Sequence, residues 1–225
     1  KVFHLAREGY AFEKAFDLVN SDAYPSSYLN VSRTFLFRIL SDIESSWQYS
    51  VKHSFEGSLS DFLHARFAFS KEQISKLLDE EQAIETIVLP DDYERVCQFL
   101  KTKQSEISEL VAPVRAVYLE YLNSIGFVNS EVTPVLLDVG YSGTIQKLLT
   151  LLVSKDTFGI YMITTTSGDE KVGDNIANID HVFKTSVKMG GGYLMLDRSM
   201  FLEALLTAPN GQFIDILKDL NTEDF

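Results

Sequence analysis

The segment of the sequence that best combines chemically useful groups is Val135–Gln146, which reads VLLDVGYSGTIQ. A strand-like apolar run ends at the carboxylate of Asp138, and two glycines and two hydroxyl residues then lead into a helix-like stretch. Glycines let a backbone approach a ligand closely, and the N–H groups at the start of a helix favour a phosphate. Because ligands of open parallel sheets lie beyond the carboxyl ends of the strands, we predict a phosphate-binding loop at this point. The simpler alternative is a turn in which Asp138 only caps the helix.

Two well-defined loop chemistries fit this segment poorly. A P-loop would end in Gly-Lys-Ser or Gly-Lys-Thr, and the segment has no such ending. The Gly-x-Ser-x-Gly turn of serine hydrolases fails at its last position, which is Thr144. The chain order Ser142, Asp180, His181 still permits a catalytic triad, although an adjacent Asp and His rarely orient each other. A serine hydrolase with Ser142 as nucleophile is therefore kept as an alternative.

The same segment resembles the phosphoribosyl-pyrophosphate loop of the type I phosphoribosyltransferases, in which a hydrophobic strand and acidic residues precede a small loop that enters a helix. The resemblance implies that Asp138 contacts the ribose hydroxyls and that Ser142–Thr144 holds the 5-phosphate. The family usually has two acidic residues, whereas this chain has Leu137 in the first of the two places. The usual closing threonine position falls on Ile145.

A second polar loop follows the first strand-like run, in the order Leu5-Ala6-Arg7-Glu8-Gly9-Tyr10. The phosphoribosyltransferases place their pyrophosphate-binding loop after the first strand. The Arg7 guanidinium suits a bidentate contact with a diphosphate, and Gly9 would let backbone amides approach it. The alternative is an ordinary surface turn. A third polar strand end, Asn30–Arg33, adds a second arginine, so three strand ends together predict a site for an anionic sugar.

Four segments resemble, in chain order, one bacterial family found in capsule and lipopolysaccharide gene clusters. These segments are Leu5–Tyr10, Tyr28–Arg33, Leu137–Gln146, and Glu203 with Ala208–Gly211. Members of the family look like phosphoribosyltransferase-fold glycosyltransferases that take a ribofuranose unit from phosphoribosyl pyrophosphate. They are commonly linked to a haloacid-dehalogenase-like phosphatase, which would remove the 5-phosphate. This chain has no Asp-x-Asp phosphatase nucleophile motif, so we expect any phosphatase partner to lie outside it.

The family resemblance implies transfer of a 5-phosphoribosyl group to a sugar hydroxyl on a lipid-linked or polysaccharide acceptor. Asp138 is then the carboxylate near the ribose, and Glu8 and Glu203 are candidate general bases. Mg²⁺ held mainly by substrate oxygens would act with Arg7 on the leaving diphosphate. The residues assigned to substrate binding are Arg7, Gly9, Tyr10, Ser32, Arg33, Gly140, Tyr141, Ser142, Gly143, Thr144 and Gln146. No protein metal site is assigned, because the four histidines lack metal-ligand spacing. A non-catalytic sugar-phosphate-binding module is a further alternative.

The composition excludes several classes of protein. The 225 residues carry 20 Lys and Arg against 32 Asp and Glu, a formal net charge of −12. Non-specific binding of nucleic acid or of an anionic membrane needs a basic face, which such a chain does not favour. The one cysteine excludes an internal disulfide framework. No apolar run approaches the roughly 18 residues that span a bilayer, and no signal-peptide pattern is present, so we expect a cytoplasmic protein that could also work at the inner membrane face.

The order of the elements predicts an α/β fold, namely a parallel sheet of the phosphoribosyltransferase-like type with a helical insertion or cap. We expect one domain over residues 1–225 and an insertion over about residues 41–125. Strands are predicted at 2–6, 28–31, 135–137 and 158–163, and helices at 10–19, 34–40, 144–153 and 198–207. The polar stretch 171–180 is expected to be a loop. Because the chain starts with Lys1 and a strand-like run follows at once, we also expect it to be a piece of a longer protein.

Overall fold

The computed structural model describes residues 1–20, 24–128, 131–219 and 225. The chain divides into two compact units. The first unit consists of Lys1–Ser32 and Leu122–Phe213, and the second unit of Arg33–Tyr121 and Ile214–Phe225. The second unit contains almost all of the predicted insertion and already begins at Arg33.

The helices and strands alternate in a way that separates a sheet-forming unit from a mostly helical one. In chain order they are β1 (Val2–Leu5), α1 (Gly9–Asn20), β2 (Ser26–Leu29), α2 (Arg33–Ile39), α3 (Glu44–Ser50), β3 (Phe55–Ser58), α4 (Leu59–Phe67), α5 (Lys71–Leu77), α6 (Glu80–Ile84), β4 (Thr86–Leu89), α7 (Tyr93–Thr102), α8 (Gln104–Ser124), β5 (Val135–Asp138), α9 (Thr144–Val153), β6 (Thr157–Ile163), β7 (Gly168–Val172), β8 (Asn175–Lys184), α10 (Leu194–Asp197) and α11 (Ser199–Leu206).

The first unit is built on a six-stranded sheet in the order β2-β1-β5-β6-β8-β7. Every neighbouring pair is parallel except β7 with β8, which is antiparallel. The predicted α/β fold with a parallel sheet is therefore confirmed. The chain leaves β1 for β2 on one side and later adds β5 on the other side, so the direction of winding reverses between β1 and β5. At such a reversal the loops diverge and leave a crevice at the carboxyl ends of the strands.

The core of the first unit combines apolar strands with a hydrogen-bonded glutamine. Gln146 of α9 is fully buried, and its amide nitrogen donates to the Thr157 hydroxyl (3.1 Å) and to the Asn178 carbonyl (2.8 Å). Its amide oxygen accepts from the Tyr161 hydroxyl (2.9 Å). Because buried polar groups must be paired, these hydrogen bonds fix the orientation of α9 on β6 and β8.

The second unit is helical, as predicted for this region, but it also contains a two-stranded antiparallel sheet of β3 and β4. A capping box begins α5, in which Ser70 and Gln73 satisfy each other's backbone N–H groups. A buried ion pair joins the Arg115 guanidinium to both carboxylate oxygens of Asp42 at 2.5 and 2.9 Å.

One local prediction was wrong in the first unit. The polar stretch 171–180, expected to be a loop, contributes to the hairpin of β7 and β8. The strand β7 lies at the edge of the sheet, where one side of the backbone needs no strand partner and charged side chains are well tolerated. Of the helices in the described residues, none has the length and apolar character that crossing a membrane would require.

Replacing Gly159 by alanine should destabilise the first unit. A Cβ at this position of β6 would lie 2.1 Å from the Gln146 amide oxygen and 2.6 Å from the Tyr161 ring. Both side chains are buried and bonded to each other, so neither can move without losing a hydrogen bond. We expect Gly159→Ala to lower the free energy of unfolding by about 1–3 kcal/mol in urea denaturation. Gly211→Ala, where an added Cβ meets no atom within 4 Å, is the control; equal urea midpoints for the two variants would contradict the packing described here.

Candidate functional site

The loop after β1 is held against the chain that follows α11. The Arg7 carbonyl accepts from the Ala208 N–H at 3.2 Å, and the Arg7 N–H donates to the Glu8 carboxylate at 3.2 Å. The Arg7 side chain is exposed and the Glu8 side chain is half-buried. At Gly9 an added Cβ would lie 2.6 Å from the backbone carbonyl carbon of His4, so only glycine lets α1 start so close to β1. Gly9 therefore has a packing role, whatever else its amide contacts.

The loop after β5 requires both of its glycines because residues of the neighbouring strands lie too close to it for a side chain. A Cβ on Gly140 would lie 2.6 Å from the Ile163 carbonyl oxygen at the end of β6. Gly143 has a φ of +66°, and a Cβ there would lie 2.8 Å from the Ile179 side chain of β8. Gly143 is also the N-cap of α9, and no side chain caps this helix start. The backbone thus turns sharply and presents the first N–H groups of α9 beyond the sheet.

Two hydroxyls lie beside this helix start. The Ser142 and Thr144 hydroxyl groups are hydrogen-bonded to each other at 3.0 Å. Thr144 is the first residue of α9, and the first intrahelical hydrogen bond runs from the Lys147 N–H to the Gly143 carbonyl. Both hydroxyls therefore lie beside the N–H groups of the first turn that come before this hydrogen bond. Hydroxyl and amide donors together with the positive end of a helix dipole form a favourable environment for a phosphate.

Three carboxyl groups converge at the carboxyl ends of β1 and β5. The pKa of Asp138 is raised from its ordinary value of 3.8 to about 8, mainly by burial. The hydrogen bond from Val139 N–H (2.8 Å) opposes this rise, and the negative charges of Glu8 and Glu203 contribute to it. The Tyr141 hydroxyl donates to the Glu203 carboxylate at 3.0 Å. Burial and the Glu203 charge raise the pKa of Tyr141 as well. The family resemblance implied roles in one site for Asp138, Glu8 and Glu203.

These carboxyl groups have no cationic partner in the structure. Within the described residues, none of Asp138, Glu8 and Glu203 forms an ion pair with a Lys, Arg or His side chain. With a pKa near 8, the Asp138 carboxyl is largely protonated at neutral pH and can donate a hydrogen bond. A cation or a cationic reaction centre nearby would favour the ionised form.

Mg²⁺ would fit here only with help from a ligand. In the part of the chain that the structure describes, no group of three or more His, Cys, Asp or Glu side chains is arranged to hold a metal ion. Mg²⁺ commonly takes one or two carboxylates and completes its shell with water and substrate phosphates. Asp138 and Glu8 are the side chains that could supply those one or two ligands.

Three further predicted substrate-binding residues, Tyr10, Ser32 and Arg33, lie next to the loops in the chain. The Tyr10 ring is exposed on α1, where it makes an edge contact with Tyr28 (6.3 Å between ring centroids). The Ser32 hydroxyl donates to the Phe213 carbonyl at 2.7 Å. Arg33 belongs to the second unit.

The assignment of the Gln146 side chain to substrate binding is not supported by its position. It lies two residues into α9, where the sequence suggested access to the loop, but the side chain points into the core and is fully buried. Both ends of its amide are used by Thr157, Tyr161 and Asn178. The position of a residue along a helix does not fix its face, and in α9 this face is the one that packs on the sheet.

Among the described residues, no hydrogen bond joins Ser142 to the imidazole of the alternative catalytic triad, although His181 Nδ1 lies 3.6 Å from the Asp180 carboxylate. The Ser142 hydroxyl is bonded to Thr144, and the Asp180 carboxylate accepts from the backbone N–H of His181 (2.8 Å). Nδ1 of His181 is buried without a hydrogen-bond partner in the structure. These contacts do not form a relay from an acid through an imidazole to Ser142.

Two polar residues near these loops, Thr165 and Asn210, were given no role from the sequence. Thr165, just after β6, donates its N–H to the Tyr141 carbonyl at 2.9 Å and so fixes the β5 loop. The signal was present, since the polar run Thr164–Ser167 follows an apolar strand as the other two loops do. Asn210 lies near the Tyr28 hydroxyl and lowers its pKa, against a larger increase caused by burial.

The sequence matches no protein-family model and no curated protein. The features that indicate a function are therefore the geometry at the ends of β1 and β5 and the four segments that carry the family resemblance.

Replacing Asp138 by asparagine should stabilise the protein, increasingly so as the pH rises. A buried carboxyl with a raised pKa keeps its proton in the folded state while the unfolded chain loses it, so the stability of the wild type falls between about pH 4 and pH 8. Asparagine cannot ionise, so Asp138→Asn should avoid this loss. We expect its advantage to be small at pH 4 and to reach the order of a few kcal/mol at pH 9, measured by urea denaturation.

Asp174→Asn is the matched control, because Asp174 is exposed in the turn between β7 and β8 of the same unit. If Asp138→Asn and Asp174→Asn shift the stability equally at every pH, the carboxyl cluster does not disfavour the ionised form of Asp138.

Proposed function

We propose that this chain is a glycosyltransferase of phosphoribosyltransferase-like fold, which transfers a 5-phosphoribofuranosyl group from phosphoribosyl pyrophosphate to a sugar hydroxyl. The observation that carries the proposal is the meeting of two loops where the sheet winding reverses. One loop offers donors for a phosphate at the start of α9, and both contribute carboxyl groups to the same point. A sugar phosphate requires this combination, since its phosphate needs N–H and hydroxyl donors while its ring hydroxyls need acceptors.

The 5-phosphate of the donor is assigned to the loop after β5. Ser142 and Thr144 give up their mutual hydrogen bond and donate to phosphate oxygens, together with the N–H groups of the first turn of α9. Gly143 keeps this approach open because it has no side chain. Asp138, at the end of β5, is then next to the phosphate loop and is assigned to the ribose hydroxyls, from which an ionised carboxylate can accept hydrogen bonds.

The diphosphate leaving group is assigned to Arg7. Its guanidinium is exposed, and within the described residues it forms no ion pair with a carboxylate, so it can turn towards an anion. A Mg²⁺ ion bound to the donor would supply further positive charge as diphosphate departs. Arg7 thus stabilises the negative charge of the leaving diphosphate, whereas the carboxyl groups stabilise the positive charge of the ribosyl centre.

The transfer step balances with the residues at hand. The bond between the ribosyl anomeric carbon and diphosphate breaks, and a bond from the acceptor hydroxyl oxygen to that carbon forms. The hydroxyl proton passes to a carboxylate, for which Glu8 and Glu203 are the two candidates. The Tyr141 hydroxyl donates to the Glu203 carboxylate and so orients it.

The acceptor and the partners follow from the family resemblance. We propose a lipid-linked or polysaccharide acceptor of bacterial surface-polysaccharide biosynthesis. We also propose a site of action in the cytoplasm or at the inner membrane face, and a haloacid-dehalogenase-like phosphatase that acts after the transfer.

Calorimetric titration with phosphoribosyl pyrophosphate tests the donor site. We expect saturable binding that is stronger with Mg²⁺ than without it, and we expect Arg7→Gln to weaken this binding about tenfold because one charge-assisted contact is lost. Lys171→Gln, which removes an exposed positive charge from the edge strand β7, should leave the affinity unchanged.

Other results would favour other functions. No heat of binding in a folded sample would contradict the donor assignment. Labelling by a fluorophosphonate that disappears in Ser142→Ala would support the serine hydrolase instead. Binding of the donor without release of diphosphate in the presence of any acceptor sugar would support a non-catalytic sugar-phosphate-binding module.

A further inference from the structure

The second unit contains a cavity of about 380 Å³ whose wall carries an unusual excess of positive charge. Its lining includes Arg33, Thr34, Phe37, His53, Phe55 and Arg66, and no carboxylate is among the lining residues. In a chain with a formal net charge of −12, a cavity with two guanidinium groups and an imidazole stands apart from the general acidity. The volume is within the range of small-molecule sites, which begins at about 300 Å³.

Arg66 is fixed in the wall of this cavity by its own unit. One of its terminal nitrogens donates to the backbone carbonyls of His53 and Ser54, each at 3.3 Å, and its guanidinium lies over the Phe62 ring at 5.7 Å. A guanidinium has five N–H donors, so these contacts leave others for a ligand. Arg66 is thus a positioned donor and not a side chain extended into solvent.

The positive groups of the cavity repel one another without compensation. Neither Arg33 nor Arg66 forms an ion pair with a carboxylate in the described residues. Burial and the charge of Arg33 lower the pKa of Arg66, and burial followed by both arginines lowers the pKa of His53. A bound anion would offset the repulsion among Arg33, Arg66 and His53, so this grouping of positive side chains favours anion binding.

The remaining walls indicate what accompanies the anion. Phe37 is 3% exposed and Phe55 is half-buried, so the cavity has apolar aromatic surface beside its charged groups. The Thr34 hydroxyl adds a neutral donor. Arginine, hydroxyl and aromatic groups together suit a phosphate attached to a sugar ring better than they suit a free inorganic anion.

We propose that the cavity of the second unit is a binding site for a phosphorylated sugar, with Arg33 and Arg66 on the phosphate and Phe37 and Phe55 against the sugar ring. The sequence had assigned Arg33 to the donor site because it follows a strand end. In the structure its neighbours are instead His53 and Arg66. This assignment does not depend on the function proposed for the first unit, since every residue that carries it belongs to the second unit.

Histidine NMR on the full chain provides a local test, with ribose 5-phosphate and inorganic phosphate as probes. The chain has four histidines, and a His53→Gln variant identifies the His53 imidazole signals. We expect these signals to move in a saturable way on addition of ribose 5-phosphate and less steeply with inorganic phosphate.

Charge variants decide whether the arginines are responsible. Arg33→Gln should weaken the binding reported by His53 about tenfold, and Arg33→Gln with Arg66→Gln about a hundredfold. Lys71→Gln, an exposed lysine outside the cavity, should have no effect. Within the described part of the chain the Arg33 side chain forms no ion pair, so its single variant stays informative if the double variant unfolds. A His53 signal that does not move, or that moves equally in all three variants, would overturn the proposal.

Discussion

The parallel pairing of β1 with β2 on one side and β5 on the other is the constraint on which the candidate site depends. In register, His4 lies between Tyr28 and Leu137, so all three strands end at the same edge. The strands β1 and β5 have only four residues each, and the chain leaves the sheet at once after Leu5 and Asp138. The two loops must therefore start side by side, and the reversal of winding between them leaves room for a ligand.

The loops are fixed by packing as much as by hydrogen bonds. A side chain at Gly9 would collide with the backbone of His4, and one at Gly140 would collide with the end of β6. A side chain at Gly143 would collide with Ile179 of β8. The glycines that suggested a phosphate loop are thus also the residues that let the helices and strands pack closely. Both roles follow from the same property, because a position without a side chain admits either a neighbouring backbone or a ligand.

The carboxyl groups of the site are costly in the absence of a ligand. Burial and the nearby charges of Glu8 and Glu203 raise the pKa of Asp138 to about 8. Structural ion pairs usually bring opposite charges together, whereas this site brings like charges together. Such an arrangement is common where a protein must bind a cation or a polar ligand, and it costs stability until the ligand arrives.

Several helices and strands could be predicted from the sequence because their apolar residues recur at regular spacing. The elements that lack such spacing were not predicted. The helix α9 was predicted at Thr144–Val153 because its apolar residues recur at helical spacing, and its structure has these bounds. The hairpin of β7 and β8 was missed because an edge strand carries charges such as Asp169 and Lys171 and shows little apolar alternation.

Other features depend on contacts that no local pattern reveals. The pairing of β3 with β4 joins segments separated by three helices, so it has no turn signal. The boundary between the units falls after Ser32 without a proline or glycine linker, so the sequence does not show that Arg33 begins the second unit. The burial of Gln146 follows from the face that α9 turns towards the sheet.

Amide hydrogen exchange with and without phosphoribosyl pyrophosphate and Mg²⁺ tests most directly whether the two loops form one donor site. We expect the ligand to slow amide exchange at residues 7–9 and 140–145 together, because it would cover both loops and accept hydrogen bonds from their N–H groups. Protection of only one loop, or of neither when binding is saturated, would contradict a shared donor site at the ends of β1 and β5.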